Sequence, residues 1–214
     1  AHELRTPLAG ALAQTQRLLR ELPKGSAKTR ALEVQAALKR VNHLMEKLLE
    51  LSRADSGVGL AQEASDLLPI IEIVANEFAR SPGNAGRLRL DLGDAGPLMA
   101  QVDIDAFAIA LRNLIENALI HSPPETTVEV KLHAGGRLSV RNDCAVVPAA
   151  TLRDMTKRFK RGATDAEGSG LGLAIAATFI ERMGGELTLK SPPPDRLDGF
   201  EAVISLKPGR LLED

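Results

Sequence analysis

Two asparagines, Asn113 and Asn117, stand four residues apart in the run RNLIENALIHSP. On a helix that spacing puts both amides on one face, one turn apart. Asparagine is a middling helix former, so two in register need a reason. An amide oxygen is a hard, neutral ligand suited to Mg²⁺ beside phosphates; the alternative is a solvated polar face. Further along, EGSGLGLAIAATFI sets Gly168, Gly170 and Gly172 ahead of an apolar helix. Glycines let backbone approach a phosphate closely, and the free N–H groups of a helix N-terminus attract its charge. No Gly-Lys-Ser/Thr ends the run, so it is not a Walker loop, and it lacks the early strand and later acid of a dinucleotide fingerprint. Just upstream, KRFKRG offers Arg158, Lys160 and Arg161, which could reach a γ-phosphate or form a solvated basic loop. At the other end of the chain, AHELRTPLAG sets His2 beside Glu3 and closes with Thr6-Pro7.

Composition narrows the partners. The 214 residues are 44% hydrophobic and 26% charged with a net charge of -1, ordinary for a soluble globular chain and without the basic field of a nucleic-acid binder. With no Trp, no Tyr and five Phe, base stacking on aromatic rings is a poor binding mode. The lone Cys144 excludes an intrachain disulfide and a cysteine-based zinc site, and suits a reducing cytoplasm. The chain lacks an initial Met, an apolar signal core and a run of about 18 apolar residues. The expectation is a piece of a longer protein.

The elements that must carry these residues fall into two halves. Residues 1–56 predict two helices, with Leu4, Leu8, Leu12 and Leu19 striping the first and Val34, Leu38, Val41, Met45 and Leu48 the second. Pro23, Gly25 and Ser26 between them stop one helix and start the next, which predicts an antiparallel hairpin. Two helices cannot enclose their own stripes. A second copy would complete a four-helix bundle, which predicts a homodimer; packing against the rest of the chain is the alternative. Residues 57–66 read as a linker, and 67–214 as strands mixed with helices. Helices are expected over Leu67–Arg80, Asp105–His121 and Gly170–Met183. Strands are expected in RLRLDL, TTVEVKLH, GRLSVRN, ELTLKS and FEAVISLK. The fold class is α+β: the hairpin, then an α/β sandwich with one sheet covered by helices on one face.

The order HELRTP, helical hairpin, NLIENALIHSP, RFKRG and GSGLGLAIA resembles the sensor histidine kinases of two-component signalling across essentially the whole chain. The resemblance implies a dimerisation and histidine-phosphotransfer hairpin followed by a catalytic ATP-binding domain of the GHKL type. It implies His2 as phosphoacceptor: a neutral ring nitrogen attacks the γ-phosphorus while Glu3 accepts or orients the proton on the other nitrogen. Thr6, on the same helix face as His2, resembles the residue that positions water for removing phosphate from the response regulator. Asn117 resembles the Mg²⁺ ligand and Asn113 its phosphate-side companion, with Gly168, Gly170, Leu171 and Gly172 around the nucleotide. Arg161 resembles the lid arginine that stabilises charge on the transferring group. His121, at the end of the Asn-bearing helix, resembles the residue often placed beside nucleotide, whereas His43 and His133 read as surface or boundary residues. The implied cofactors are ATP and Mg²⁺. The implied partners are a second copy and the receiver domain of a response regulator, with the parent protein anchored in the inner membrane and this piece in the cytoplasm.

The pattern departs from the family at the adenine pocket. Where Asp-x-Gly-x-Gly is usual, NDCAVVP puts Asn142 for the aspartate and Cys144 and Val146 for both glycines. Asn142 can still accept a bond from the adenine amino group, without a charge; a shift of one residue would make Asp143 the acceptor. Val146 cannot cheaply take a positive φ, and Ile120 stands where a lysine or arginine is common. Two functions follow: a histidine kinase, or a scaffold or phosphatase-biased pseudokinase with weakened nucleotide binding.

Overall fold

The computed structural model describes residues 2–55, 59–93, 96–157 and 170–207. The chain divides into two compact units between Glu50 and Leu51.

The first unit holds α1 (His2–Glu21) and most of α2 (Ser26–Asp55). Pro7 lies inside α1, which continues through it. Leu22–Gly25 connects the helices, where Leu22 N–H donates to Leu18 O at 3.0 Å and Lys28 Nζ reaches Leu22 O at 3.3 Å. Local bonds run along the helix surfaces, such as Arg17 with Glu21 at 3.1 Å and Asn42 with Glu46 at 2.9 Å. Apolar side chains stay in the open. Val34, Val41 and Leu48 on α2 are 52%, 53% and 48% exposed.

The second unit begins inside α2. Leu51 and Ala54 are buried in its core, so the last turn of α2 packs with the second unit. Residues 57–66 differ from the expected linker, because Leu60–Asp66 forms β1. LAQEASD has no β-branched or aromatic residue to signal a strand. Pairing supplies it: β1 runs antiparallel to β3 (Met99–Val102), with Leu60 opposite Val102 and Asp66 opposite Met99 across a bulge.

Next come α3 (Leu68–Arg80), β2 (Leu88–Asp91), α4 (Ile104–His121), β4 (Val128–His133), β5 (Arg137–Asn142), α5 (Ala149–Asp154), α6 (Gly172–Arg182), β6 (Glu186–Lys190) and β7 (Phe200–Ser205). The five-stranded sheet has the order β2-β4-β5-β7-β6, parallel between β2 and β4 and antiparallel elsewhere. Val128, Val130 and Leu132 on β4 are buried while Glu129, Lys131 and His133 between them are half-buried, the alternation of a sheet covered on one face. Helices α3, α4 and α6 supply that cover. Phe107, Leu111, Leu114 and Ile115 of α4 and Ile175, Phe179 and Ile180 of α6 are almost wholly buried, each contributing about 1.5–3 kcal/mol.

Both ends of α4 are fixed. Asp103 caps its start by accepting from Ala106 N–H at 2.8 Å. At its end Arg87 Nη2 donates to the carbonyls of Leu119, Ser122 and Pro123 at 3.2–3.4 Å, groups the helix itself leaves unpaired.

Candidate functional site

The described residues that the sequence nominates for nucleotide lie on α4, on the first turn of α6 and at the end of β5. Asn113 is 1% exposed, and its Nδ2 donates to Ile109 O at 2.8 Å, back along its own helix. Its Oδ1 lies 3.4 Å from where a Cβ on Gly172 would stand. Asn113 therefore meets the start of α6, and a larger residue at Gly172 would press on it. Asn117 and His121 lie on the same helix and are half-buried. The expected pair is thus unequal: Asn113 is packed against α6, and Asn117 keeps access to solvent.

At the start of α6, Gly170 holds φ 67, a left-handed conformation that costs other residues about 1–2 kcal/mol. Leu171 is fully buried and its carbonyl accepts from Ile175 N–H at 2.8 Å, closing the first turn. The first N–H groups of α6 have no partner within the helix itself. Arg158, Lys160, Arg161 and Gly168 lie outside the described residues. His2, Glu3 and Thr6 lie on α1, and the side chains of His2 and Glu3 are outside the described set.

The end of β5 carries the altered pocket. Asn142, opposite Phe200 on β7, is 2% exposed. Its Nδ2 donates to Asp143 O at 3.2 Å, but its Oδ1 is buried with no partner. A buried acceptor left unpaired costs about 1–3 kcal/mol, so a donor arriving there would be held. Asp143, one residue on, instead turns its carboxylate to Arg196 at the surface. Burial, with the Asp198 and Asp143 carboxylates, pushes the Cys144 thiol above its ordinary range, against a smaller opposing effect of the Asn142 amide. Cys144 is held as a neutral thiol.

The loop from Ser191 to Gly199 braces this segment. Ser191 Oγ accepts from Val147 N–H at 2.8 Å and donates to Gly199 O at 2.6 Å, while Gly199 N–H donates to Cys144 O at 2.9 Å. Gly199 has φ 95, and a Cβ there would stand 3.0 Å from Asn142 O. The bonds from the loop to Val147 and Cys144 join residues 44 and 55 apart in sequence, and only turn residues such as PPPDRLDG mark the loop.

His133 Nε2 is bonded to Ser139 Oγ at 2.7 Å, and burial together with Arg141 holds its pKa down. Among the described residues no three His, Cys, Asp or Glu side chains form a metal cluster. No described helix is long and apolar enough to cross a membrane.

Comparison with known proteins matches residues 1–57 to the His Kinase A (phospho-acceptor) domain and residues 102–210 to the histidine kinase-, DNA gyrase B-, and HSP90-like ATPases. The probable sensor histidine kinase TcrY of Mycobacterium tuberculosis is 31% identical over 90% of this chain and 42% of its own length. The histidine-protein kinase/phosphatase MprB of Mycolicibacterium smegmatis is 30% identical over 100% of this chain and 45% of its own. This chain spans less than half of either relative. The crystal structure of full-length ShkA in complex with AMPPNP shares the fold, with a TM-score of 0.69 over 95% of this chain and 43% of that one at 22% identity. A phospho-acceptor hairpin joined to an ATPase sandwich with its asparagine helix and glycine-led helix places the chain in the histidine kinase family.

Proposed function

We propose that the chain is the kinase core of a two-component sensor histidine kinase, binding ATP among α4, the end of β5 and the first turn of α6. The observation that carries the reading is the unpartnered, buried Oδ1 of Asn142, an acceptor for the 6-amino group of adenine. Asp143 is the weaker candidate, since its carboxylate is engaged with Arg196. The phosphates would lie toward the N–H groups of the α6 first turn, near Gly170, Leu171 and Gly172, where the helix end favours negative charge. Half-buried Asn117 would offer one neutral oxygen to Mg²⁺, a hard donor that fits an ion arriving with the nucleotide. When bound, magnesium would neutralise charge at the phosphates. Asn113 acts by seating α4 against α6.

In the transfer, a neutral His2 nitrogen forms the N–P bond, the bond from the γ-phosphorus to the bridging oxygen breaks, and ADP leaves. Glu3 takes or orients the proton on the other ring nitrogen, and Arg161 and Gly168 serve the transferring group and nucleotide from the segment before α6. The phosphoryl group then passes to an aspartate of a response regulator, with Thr6 placed to orient water for its removal. The exposed Val34, Val41 and Leu48, seven residues apart, support a homodimer through the hairpin. The parent is read as a membrane-anchored sensor whose kinase core faces the cytoplasm. The scaffold reading has nothing specific in its favour, because Asn142 leaves the pocket an acceptor.

Incubation with ATP labelled at the γ-position tests this reading. The chain takes up label, and Asn117→Ala loses it while keeping the circular dichroism of the parent. Equal labelling of the variant removes Asn117 from the site, and no labelling of the parent counts against the kinase.

A further inference from the structure

Asn142 differs from a carboxylate in having two unlike ends. One amide end accepts and the other donates, so its orientation decides what base edge it can read. In this fold Nδ2 donates to Asp143 O at 3.2 Å, and a half-turn of the amide would set Oδ1 against that carbonyl, acceptor facing acceptor. The Asp143 carbonyl is thus the element that keeps Oδ1 free for a ligand. Asp143 is itself held from both sides. Its carboxylate is paired with Arg196, and the next carbonyl, Cys144 O, accepts from Gly199 N–H at 2.9 Å. Phe200, opposite Asn142, brings no side-chain hydrogen-bonding group, and the Cys144 thiol, which also meets the Asn142 side chain, is the weaker partner of the two.

We propose that Arg196 is a positioning residue for base selection: through Asp143 it locks the Asn142 amide as an acceptor, so that the pocket takes 6-amino purine nucleotides and rejects 6-oxo purines. The proposal rests on the reading of Asn142 as the adenine contact. A 6-oxo purine presents an acceptor where adenine presents a donor, and the locked Oδ1 repels it. Released from the Asp143 carbonyl, the amide can turn and donate from Nδ2 to the 6-oxo group. Arg196 reaches this effect from the Ser191–Gly199 loop, more than fifty residues along the chain from Asp143.

The test measures dissociation constants of ATP and ITP, which differ at purine position 6 and the adjoining N1 proton, on the whole chain by titration calorimetry. The parent binds ATP about tenfold or more tighter than ITP, the order expected when one hydrogen bond is exchanged for a repulsion. Arg196→Ala narrows that ratio to about threefold or less, chiefly by gaining ITP affinity, and Arg196→Lys keeps it. Should Arg196→Ala fail to fold, Asp143→Ala removes the same pair from its other end, frees the backbone at 143 from that anchor and gives the same narrowing. Equal weakening of both nucleotides in Arg196→Ala, with the ratio intact, overturns the proposal and leaves Arg196 as a brace. A parent that does not discriminate between ATP and ITP also overturns it, while the nucleotide site stands. A parent that binds neither overturns the nucleotide site and the proposal together.

Discussion

Asn113 and Gly172 meet where α4 passes the start of α6, with Asn113 Oδ1 3.4 Å from the position a Cβ would take on Gly172. The asparagine-bearing helix and the glycine-led helix are therefore seated on each other at the point where both would face a nucleotide. Gly172→Val must push Asn113 aside, and the expected outcome is a loss of ATP affinity of tenfold or more, read by calorimetry, with the far-ultraviolet circular dichroism unchanged. Gly172→Ala, whose single added carbon makes an ordinary contact, weakens binding much less.

Gly170 carries a different requirement, because its φ of 67 is conformational. Gly170→Ala should lower unfolding stability by about 1 kcal/mol, read by urea denaturation. A stability equal to that of the parent would show that the turn before α6 accepts a side chain.

Much of the second unit was legible in the sequence, where apolar periodicity is strong. Helix α3 was expected from Leu67 and begins at Leu68, α4 from Asp105 and begins at Ile104, and the strands ending at His133 and Asn142 lie where alternation put them. Three elements were missed for physical reasons. β1 has no residue of high strand propensity, MAQV of β3 has one β-branched residue and no alternation of apolar with polar residues, and α5 is six residues without a buried side chain. For the site, side-chain type was readable and environment was not. Nothing in NDCAVVP tells that Asn142 is buried with a free oxygen while Asp143 is paired with Arg196, because both depend on a loop that arrives from β6. Likewise, two asparagines in register do not tell that one bonds back to Ile109.

Cys144 gives a probe of the pocket, being the single cysteine in the chain. Its thiol is pushed above the ordinary range by burial and by the carboxylates of Asp198 and Asp143, so at pH 8 it holds less thiolate than a free cysteine. Alkylation by iodoacetamide should be slower than that of a free thiol and should keep rising with pH beyond the ordinary thiol range. Bound ATP should slow it further. A rate indifferent to saturating ATP would place the base away from the end of β5.

The hairpin makes its own demand. Val41 is 53% exposed within one chain, so Val41→Asp should change the stability of a lone chain by less than about 0.5 kcal/mol. In a bundle of two chains the same substitution buries a charge in the seam. Light scattering should show the parent as a dimer and the variant as a monomer at equal concentration. A variant as dimeric as its parent would move the interface off this stripe.

Transfer of a phosphoryl group from ATP to His2 leaves a product whose chemical stability is diagnostic. A phosphoramidate on imidazole is lost in acid and survives in base, unlike an ester on serine or threonine. After incubation with γ-labelled ATP, the chain should carry label that is acid-labile and base-stable and that is absent from His2→Gln, a variant that still binds ATP. Acid-stable label, or label retained in His2→Gln, would contradict it.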